Sequence, residues 1–305
     1  MVTDPAGKAV LIVNARAGRL GRDPRTLEAL FHGAGMECEI RRTEGPGHAI
    51  ELARAALEQG HSYLVAVGGD GTIQEVVNGM MDDRGPLNPA AVLGILPSGS
   101  GSDFVRTVGL PRRPSRAIVR LSGGGVAEVD LGRVSYTVGD RTETRWFANI
   151  AEAGIGAEIV RRAERVPRRL RQGRYLVGFG MGLTAFTKTD ARIVLDGQSL
   201  DTQLTDLIVA NAQFFGGGMR IAPGADPADG FFDVLIVKGS KRKYVAALVK
   251  LYGGRHLPSP AIDCHRARRI EVTAAQPLLV EADGELLGTT PAVFEIAEHA
   301  LRLRV

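Results

Sequence analysis

A glycine-rich run between an apolar segment and a helical pattern constrains the fold of this chain more than any other feature. Tyr63–Val67 is apolar, as in a buried strand, Gly68–Thr72 follows it, and a helical pattern begins at Ile73. Glycine permits positive φ and lets backbone N–H groups approach an anion closely, and the following helix adds the positive end of its dipole. A turn of this kind suits a phosphate group.

Asp70 lies at the centre of this run. A carboxylate repels phosphate unless a cation lies between the two groups, so this acid favours a phosphate site that also holds Mg²⁺. Asp-Gly-Thr is equally suited to a tight turn that caps a helix. On these residues alone, the run is either a phosphate-binding turn or an ordinary capped turn.

The segments around this run predict a parallel sheet with helices on both faces. Short apolar strands alternate with amphipathic helices between residues 8 and 96, as in a doubly wound α/β domain. Ligands of such sheets bind beyond the carboxyl ends of the strands, where Asn14–Gly18, Gly68–Thr72 and Pro97–Asp103 are expected to line one crevice. The predicted strands are Ala9–Val13, Glu37–Arg41, Tyr63–Val67 and Val92–Leu96, and the predicted helices are Pro24–Gly35, Pro46–Gln59 and Ile73–Met81.

The pattern changes after about Gly132, where long helical repetition gives way to short strand-like runs. This change predicts a mainly antiparallel second domain, and Ala300–Val305 alternates like a strand that returns to the first domain. Two helices are expected within it, at Ala157–Glu164 and Tyr175–Thr187. The predicted strands are Arg145–Ile150, Ala191–Leu195, Asp206–Ala210, Phe231–Val237, Arg269–Thr273 and Leu278–Glu281.

Length and composition limit the class of protein. A chain of 305 residues with 44% apolar content is long enough for about two domains with separate cores. Its two cysteines, Cys38 and Cys264, lack metal-ligand spacing and indicate a reducing compartment. No leader-like segment and no window of about 18 uncharged residues occurs, so we expect a cytoplasmic protein that is at most peripheral to a membrane.

Arginines are concentrated between Arg161 and Arg174 and are opposed there only by Glu164. Aromatic residues make up 5% of the chain and none lies among these arginines, which argues against a nucleic-acid partner. An anionic membrane surface is the better candidate, particularly because the uncharged segment Tyr175–Thr187 follows directly. The alternatives are a solvated helical face for the arginines and a buried core helix for the apolar segment.

Several common catalytic patterns are missing. The chain has no P-loop, no dinucleotide fingerprint after a strand and no nucleophile elbow with suitable partners. Carboxylates are more informative, because Asp226 and Asp229 lie three residues apart in one turn and Glu281–Glu285 forms another acidic turn. Phosphoryl transfer to an alcohol needs a carboxylate to accept the hydroxyl proton and cations to offset phosphate charge. Plain hairpin turns are the alternative interpretation of both segments.

The loops, in this order, resemble those of the diacylglycerol kinase catalytic family, bacterial lipid kinases related to diacylglycerol and sphingosine kinases. Gly68–Thr72 resembles the family's nucleotide loop, which NAD kinases share, while Asn14–Gly18 and Thr43 resemble two further loops. Gly99-Ser100 lies where the family usually has Gly-Thr. Ser102-Asp103 replaces the usual Asn-Asp pair, so this loop keeps a hydroxyl and an acid but loses an amide.

The resemblance implies an N-terminal doubly wound, Rossmann-like domain over residues 1–132 and a mainly antiparallel β-sandwich domain over 133–298, with a return strand over 299–305. It also implies that Asp70 contributes to catalysis through an active-site Mg²⁺. The implied ATP-binding residues are Asn14, Ala15, Arg16, Ala17, Gly18, Thr43, Gly68, Gly69, Asp70, Gly71, Thr72, Gly99 and Ser100.

Acidic residues of the second half match two further family sites. Asp226 and Asp229, with the carbonyl of Phe231, match a structural Mg²⁺ site, and Asp130 matches an acid that links this ion to the active site. Asp283-Gly284-Glu285 matches the catalytic segment, in which one carboxylate is the general base toward the lipid hydroxyl. The resemblance leaves open whether Asp283 or Glu285 takes the proton.

The expected function is therefore ATP-dependent phosphorylation of diacylglycerol or a similar lipid at the inner face of a membrane. The expected partners are ATP, Mg²⁺ and membrane lipid, with no nucleic acid and with a homodimer possible through an exposed sheet edge. Two alternatives remain: an NAD kinase-like enzyme acting on a ribose hydroxyl, and a nucleotide-binding regulatory module without turnover.

Overall fold

A computed structural model describes residues 8–18, 22–99, 101–164, 166, 187–239 and 250–305. Ser100, the arginines from Arg165 to Arg174 and nearly all of the segment Tyr175–Thr187 lie outside the described residues. The chain divides into two compact units, the first comprising Met1–Leu131 with Ala297–Val305 and the second Gly132–Ile296.

The first unit contains the alternating strands and helices that the apolar pattern predicts. Its strands and helices up to residue 123 are β1 (Ala9–Asn14), α1 (Pro24–Gly33), β2 (Cys38–Thr43), α2 (His48–Glu58), β3 (Tyr63–Gly68), α3 (Asp70–Met80), β4 (Met81–Asp82), β5 (Gly85–Pro86), β6 (Val92–Pro97), α4 (Asp103–Thr107) and α5 (Pro114–Gly123).

The remaining elements follow in chain order, and the first and last of them extend across the boundary between the units. They are β7 (Val126–Val138), β8 (Arg141–Phe147), β9 (Ile150–Gly154), α6 (Ile155–Glu164), β10 (Thr189–Leu195), β11 (Gln198–Leu204), β12 (Asp206–Ala210), β13 (Phe214–Phe215), β14 (Met219–Arg220), β15 (Phe232–Val237), β16 (Ile262–Ala267), β17 (Arg269–Ala274), β18 (Leu279–Ala282) and β19 (Glu285–Arg304).

The central strands of the first unit are parallel, in the order β2-β1-β3-β6, and the end of β19 extends this sheet by pairing with β6 in the parallel sense. Strands β1, β3 and β6 are buried almost throughout, as expected for a sheet covered on both faces. The predicted α/β class is confirmed for this unit. The carboxyl ends of these parallel strands consequently lie along one edge of the sheet.

The second unit is antiparallel. Strands β16, β15, β12, β9 and β18 follow one another in the sheet, and β18 pairs with the first part of β19. Strand β17 pairs with β10 and β19, and β10 with β11. Its core includes the rings of Phe147 and Phe232, which stack with centroids 5.6 Å apart. The predicted antiparallel region is also confirmed.

Several element bounds differ by a few residues from the sequence-based expectation, and two of these differences concern the candidate site. Helix α3 begins at Asp70 instead of Ile73, because the N–H groups of Thr72 and Ile73 already donate to the Gly69 carbonyl. The run predicted as one strand over Arg145–Ile150 is divided into β8 and β9. In both cases hydrogen bonds override what the local residue pattern suggests.

Glycine in α3 allows this helix to pack closely on α2. A Cβ added at Gly79 would lie 2.4 Å from the Ile50 carbonyl oxygen, whereas a Cβ added at Gly71 in the same helix would meet nothing within 4 Å. Gly79→Ala is therefore expected to lower the free energy of unfolding by about 1–3 kcal/mol. Gly71→Ala should leave it unchanged or raise it by up to about 1 kcal/mol. Urea denaturation of both variants tests this, and equal stabilities would contradict the close contact.

Candidate functional site

The loops that follow β1, β3 and β6 are joined to one another by hydrogen bonds. Asn14 Nδ2 donates to Thr72 Oγ1 at 3.2 Å, and Ser98 Oγ donates to the Ala17 carbonyl at 2.8 Å. The backbone N–H of Ser98 donates to the Gly68 carbonyl at 2.8 Å. The first unit thus brings together three loops that are far apart in sequence, as their places at the ends of parallel strands predict.

Close backbone approach between two of these loops depends on glycine. A Cβ added at Gly99 would lie 2.5 Å from the Gly69 Cα, so a side chain there would push the two turns apart. Gly69 is also the residue at which α3 is capped. Gly69 offers no capping side chain to the first turn of that helix, and the positive end of the helix dipole there suits an anion.

The loop after β1 has its own internal order. Asn14 pairs in register with Thr43 at the end of β2, and its Oδ1 accepts the Arg16 N–H at 3.0 Å. The Ala17 N–H donates to the Asn14 carbonyl at 2.9 Å, and Gly18 follows with a positive φ of 58°. Asn14–Gly18 and Thr43 therefore lie at the same end of the sheet as Gly68–Thr72.

Asp70 holds the third loop. Its Oδ1 accepts the backbone N–H groups of Asp103, at 2.8 Å, and Phe104, at 3.3 Å, and so caps α4. Burial raises the pKa of Asp70, while the N–H donors oppose this shift. Its Oδ2 faces Gly101, because a Cβ added there would lie 2.7 Å from that oxygen. One oxygen of Asp70 is thus engaged by the backbone, and the other faces a residue without a side chain.

Asp130 is fully buried in the first unit. Its Oδ1 accepts the His299 backbone N–H at 2.8 Å, where the chain adopts a positive φ of 53°. The His299 ring lies 3.9 Å from the same oxygen. In the structure Asp130 therefore fixes the start of the return segment, whereas Asp226 and Asp229 belong to the second unit.

The Asp226–Phe231 turn presents two carboxylates, both in contact with backbone N–H groups. Asp226 Oδ1 accepts the Ala228 N–H at 3.1 Å, and Asp229 Oδ1 accepts the Phe231 N–H at 3.0 Å. Asp229 also forms an ion pair with Arg266, whose guanidinium lies 4.7 Å from the centroid of the Phe231 ring. The carboxylate and carbonyl oxygens of this turn suit a hard cation such as Mg²⁺.

That cation would compete with Arg266 for Asp229. Within the described ranges, no group of three or more His, Cys, Asp or Glu side chains is arranged to hold a metal ion. A metal at this turn would accordingly complete its coordination with backbone carbonyl groups and water, which Mg²⁺ commonly retains.

Asp283 and Gly284 form the turn of the β18–β19 hairpin, with positive φ of 51° and 84°. The Asp283 carboxylate accepts three backbone N–H groups: Oδ2 takes Ala148 at 2.9 Å, and Oδ1 takes Asn149 and Ile150 at 3.0 Å each. These bonds explain why the strand predicted over 145–150 is divided. They also fix the orientation of the Asp283 side chain.

Glu285 differs from Asp283 in its surroundings. Its Oε2 lies 2.6 Å from Arg145 Nη2 on β8, and 46% of its side chain is exposed to solvent. It is therefore an accessible carboxylate, held at one side by an arginine, that directly follows a rigid turn. Asp283 and Glu285 therefore lie on one hairpin but differ in their contacts: Asp283 accepts backbone N–H groups, and Glu285 pairs with an arginine side chain.

Only the first residues of the arginine cluster are described. Arg161 and Arg162 both pair with Glu158 on α6, at 2.7 and 2.6 Å. These pairs hold the pKa of Glu158 below its usual range, although burial works in the opposite direction.

Among the described helices, none combines the length and apolar character needed to cross a bilayer.

Family models match both parts of the chain. One, described as the diacylglycerol kinase catalytic domain, matches residues 8–134. The other, described as the YegS C-terminal NAD kinase beta sandwich-like domain, matches residues 149–305. The two matches follow each other along the chain in the order that the sequence patterns predict.

Similar proteins extend over nearly the whole chain. A protein named "Diacylglycerol kinase" from Bacillus subtilis is 29% identical over 296 residues, which cover 94% of this chain and 92% of the relative. A "Probable lipid kinase YegS-like" from Pseudomonas aeruginosa is 31% identical over 303 residues, which cover 98% and 94%.

The fold is similar to that of solved structures as well. A crystal structure of a diacylglycerol kinase from Bacillus anthracis aligns with a TM-score of 0.71 at 20% identity, covering 97% of this chain and 96% of that one. With both family models matched in order, and with relatives similar along the whole chain, this protein belongs to the lipid kinases that combine a diacylglycerol kinase catalytic domain with a YegS-type C-terminal domain.

Proposed function

We propose that the protein transfers the γ-phosphoryl group of ATP to the free hydroxyl of diacylglycerol, giving phosphatidic acid, or to a lipid with a similar alcohol group. Membership of the kinase family makes ATP the phosphate donor, and the name diacylglycerol kinase among the relatives supports this acceptor. The observation that carries the proposal is the β18–β19 hairpin, where an accessible carboxylate follows a rigid turn.

ATP binding is assigned to the three joined loops of the first unit. The residues proposed to contact ATP are Asn14–Gly18, Thr43, Gly68–Thr72, Gly99 and Ser100. Two features support this: the close backbone approach of Gly69 and Gly99, and a first turn of α3 that receives no capping side chain from Gly69. Asp70 would hold an active-site Mg²⁺, which offsets phosphate charge when bound, through the oxygen that faces Gly101.

We assign different roles to the two acids of the hairpin. Both oxygens of Asp283 already accept backbone N–H groups, so Asp283 is proposed as a positioning residue. The Glu285 side chain is 46% exposed to solvent, which leaves it accessible to accept the hydroxyl proton of the lipid as general base.

Replacing Glu285 with Gln should lower kcat by about 100-fold or more, the usual contribution of a general base, while leaving the KM for ATP and the Tm unchanged. Asp283→Asn should lower the Tm as well as kcat, because it weakens the acceptor of three N–H groups. Lipid phosphorylation from labelled ATP and thermal unfolding measure the two effects.

The chain offers a matched control for Glu285. Glu295 lies on the same strand and is also held by arginines, Arg133 at 2.6 Å and Arg269. Glu295→Gln should retain the kcat of the wild type. If Glu285→Gln were as active as Glu295→Gln, Glu285 would not be the general base.

The acceptor can be identified with vesicles. ATP turnover is expected with diacylglycerol in vesicles and not with NAD, and it should be faster when the vesicles contain anionic lipid, because peripheral binding through arginines raises the local concentration of enzyme. Mass identification of the new phospholipid names the product. Phosphorylation of NAD would favour a ribose acceptor instead, and ATP binding without ADP release would favour a regulatory module.

We further propose that a structural Mg²⁺ binds Asp226, Asp229 and the Phe231 carbonyl. A ligand that binds only the folded protein raises its stability, so Mg²⁺ should raise the Tm at constant ionic strength. Asp226→Asn should abolish the rise. Asp263→Asn, which removes an exposed acid that pairs with Lys238, should retain it. A wild-type Tm insensitive to Mg²⁺ would contradict the site.

A further inference from the structure

Two glutamates of the second unit face each other inside the sheet. Glu152 on β9 is directly opposite Glu281 on β18, and the two residues are 3% and 4% exposed. Residues opposed in this way have Cβ atoms about 5 Å apart. A hydrogen bond between the two carboxyl groups would raise the pKa of Glu152 and lower that of Glu281, as expected for a donor and its acceptor.

The surroundings of this pair are acidic. Asp206 on the neighbouring strand β12 is fully buried, and the charges that act on Glu152 come from Asp206 and Glu281. On the helix packed against β9 and β18, Glu158 is paired with Arg161 and Arg162. The other acids near the turn are also engaged, Asp283 with backbone N–H groups and Glu285 with Arg145.

Burial and like charge both favour the protonated forms of the pair. Burial raises the pKa of Glu281 to about 8, and burial together with Asp206 and Glu281 raises the pKa of Glu152 well above its usual value. Two carboxylates in contact cannot both ionise at low cost. A carboxyl group that keeps its proton can donate a hydrogen bond to the other.

The pair is connected to the proposed catalytic turn. Glu281 Oε2 accepts the backbone N–H of Gly284 at 2.8 Å, and Gly284 lies between Asp283 and Glu285. The space for the pair also depends on the start of α6, because a Cβ added at Gly156 would lie 1.7 Å from Glu152 Oε2. The carboxyl pair therefore contacts the turn from inside the sheet.

We propose that Glu152 remains protonated in the folded protein and donates to Glu281, and that Glu281 in turn positions the Asp283-Gly284-Glu285 turn through the Gly284 N–H. Glu281 is a positioning residue that acts on the general base and does not itself touch substrate. This role rests on the proposed function, whereas the protonation of Glu152 is independent of it.

The protonation is tested by Glu152→Gln, whose amide N–H replaces the carboxyl O–H as donor. When a proton is bound only in the folded state, the folding equilibrium constant falls as the pH rises. The fall is up to tenfold for each pH unit above the pKa of the group in the unfolded chain, about 4.5. Stability is therefore highest below that pH and falls as the pH rises through the higher folded pKa. Between pH 5 and 8, the constant of Glu152→Gln should fall less steeply than that of the wild type.

Glu271→Gln is the control for this measurement, because Glu271 is a half-exposed partner of Arg269 in the same unit, and its pH profile should parallel that of the wild type. At pH 7 the folding constant of Glu152→Gln should match or exceed the wild-type value. A profile parallel to the wild type, or a loss of more than tenfold at pH 7, would show that Glu152 is ionised and would overturn the proposal.

Positioning is tested by comparing Glu281→Ala with Glu281→Gln, assayed well below their Tm values. Ala removes the acceptor of the Gly284 N–H, so kcat should fall at least tenfold while the KM for ATP stays within twofold. Gln keeps an acceptor oxygen and should recover most of that loss. If Ala retained kcat, or if Gln were as impaired as Ala, Glu281 would not position the turn.

Absence of lipid phosphorylation in the wild type would reject the proposed function and leave the pH measurement valid.

Discussion

The Asp283 carboxylate is the interaction on which the second unit's candidate site depends. Three backbone N–H groups from residues 148–150 converge on it, at the point where the chain passes from β8 to β9. A charged acceptor satisfying several backbone donors makes strong hydrogen bonds, and here it also fixes a hairpin turn with positive φ. The position of Glu285 follows from that turn.

In the first unit, the Asp70 carboxylate likewise accepts backbone N–H groups. Its carboxylate accepts N–H groups of Asp103 and Phe104 and so ties the start of α4 to the start of α3. In both units, an acid that matches a family catalytic residue accepts hydrogen bonds from backbone N–H groups. Each candidate site is therefore held by a charged side chain, and removing that side chain would alter both geometry and chemistry.

The sequence was sufficient for the elements whose pattern is local. The apolar runs of β1, β3 and β6 and the Gly68–Thr72 turn predict a parallel sheet with loops at one edge, and the structure confirms that sheet. The sequence was insufficient where a residue far along the chain determines where a strand ends or which groups a side chain contacts. The break between β8 and β9 depends on Asp283, and the resemblance alone could not separate the roles of Asp283 and Glu285, which differ in their contacts.

Glu152 shows most clearly what a sequence pattern omits. An acid within the otherwise apolar strand β9 was a detectable signal, but its meaning depends on the register that places it opposite Glu281, far along the chain. Burying two carboxyl groups costs stability that an apolar pair would not cost. Local rules are most often broken at functional sites. Because Glu281 accepts the Gly284 N–H beside both hairpin acids, this cost in stability lies at the turn that we propose as catalytic.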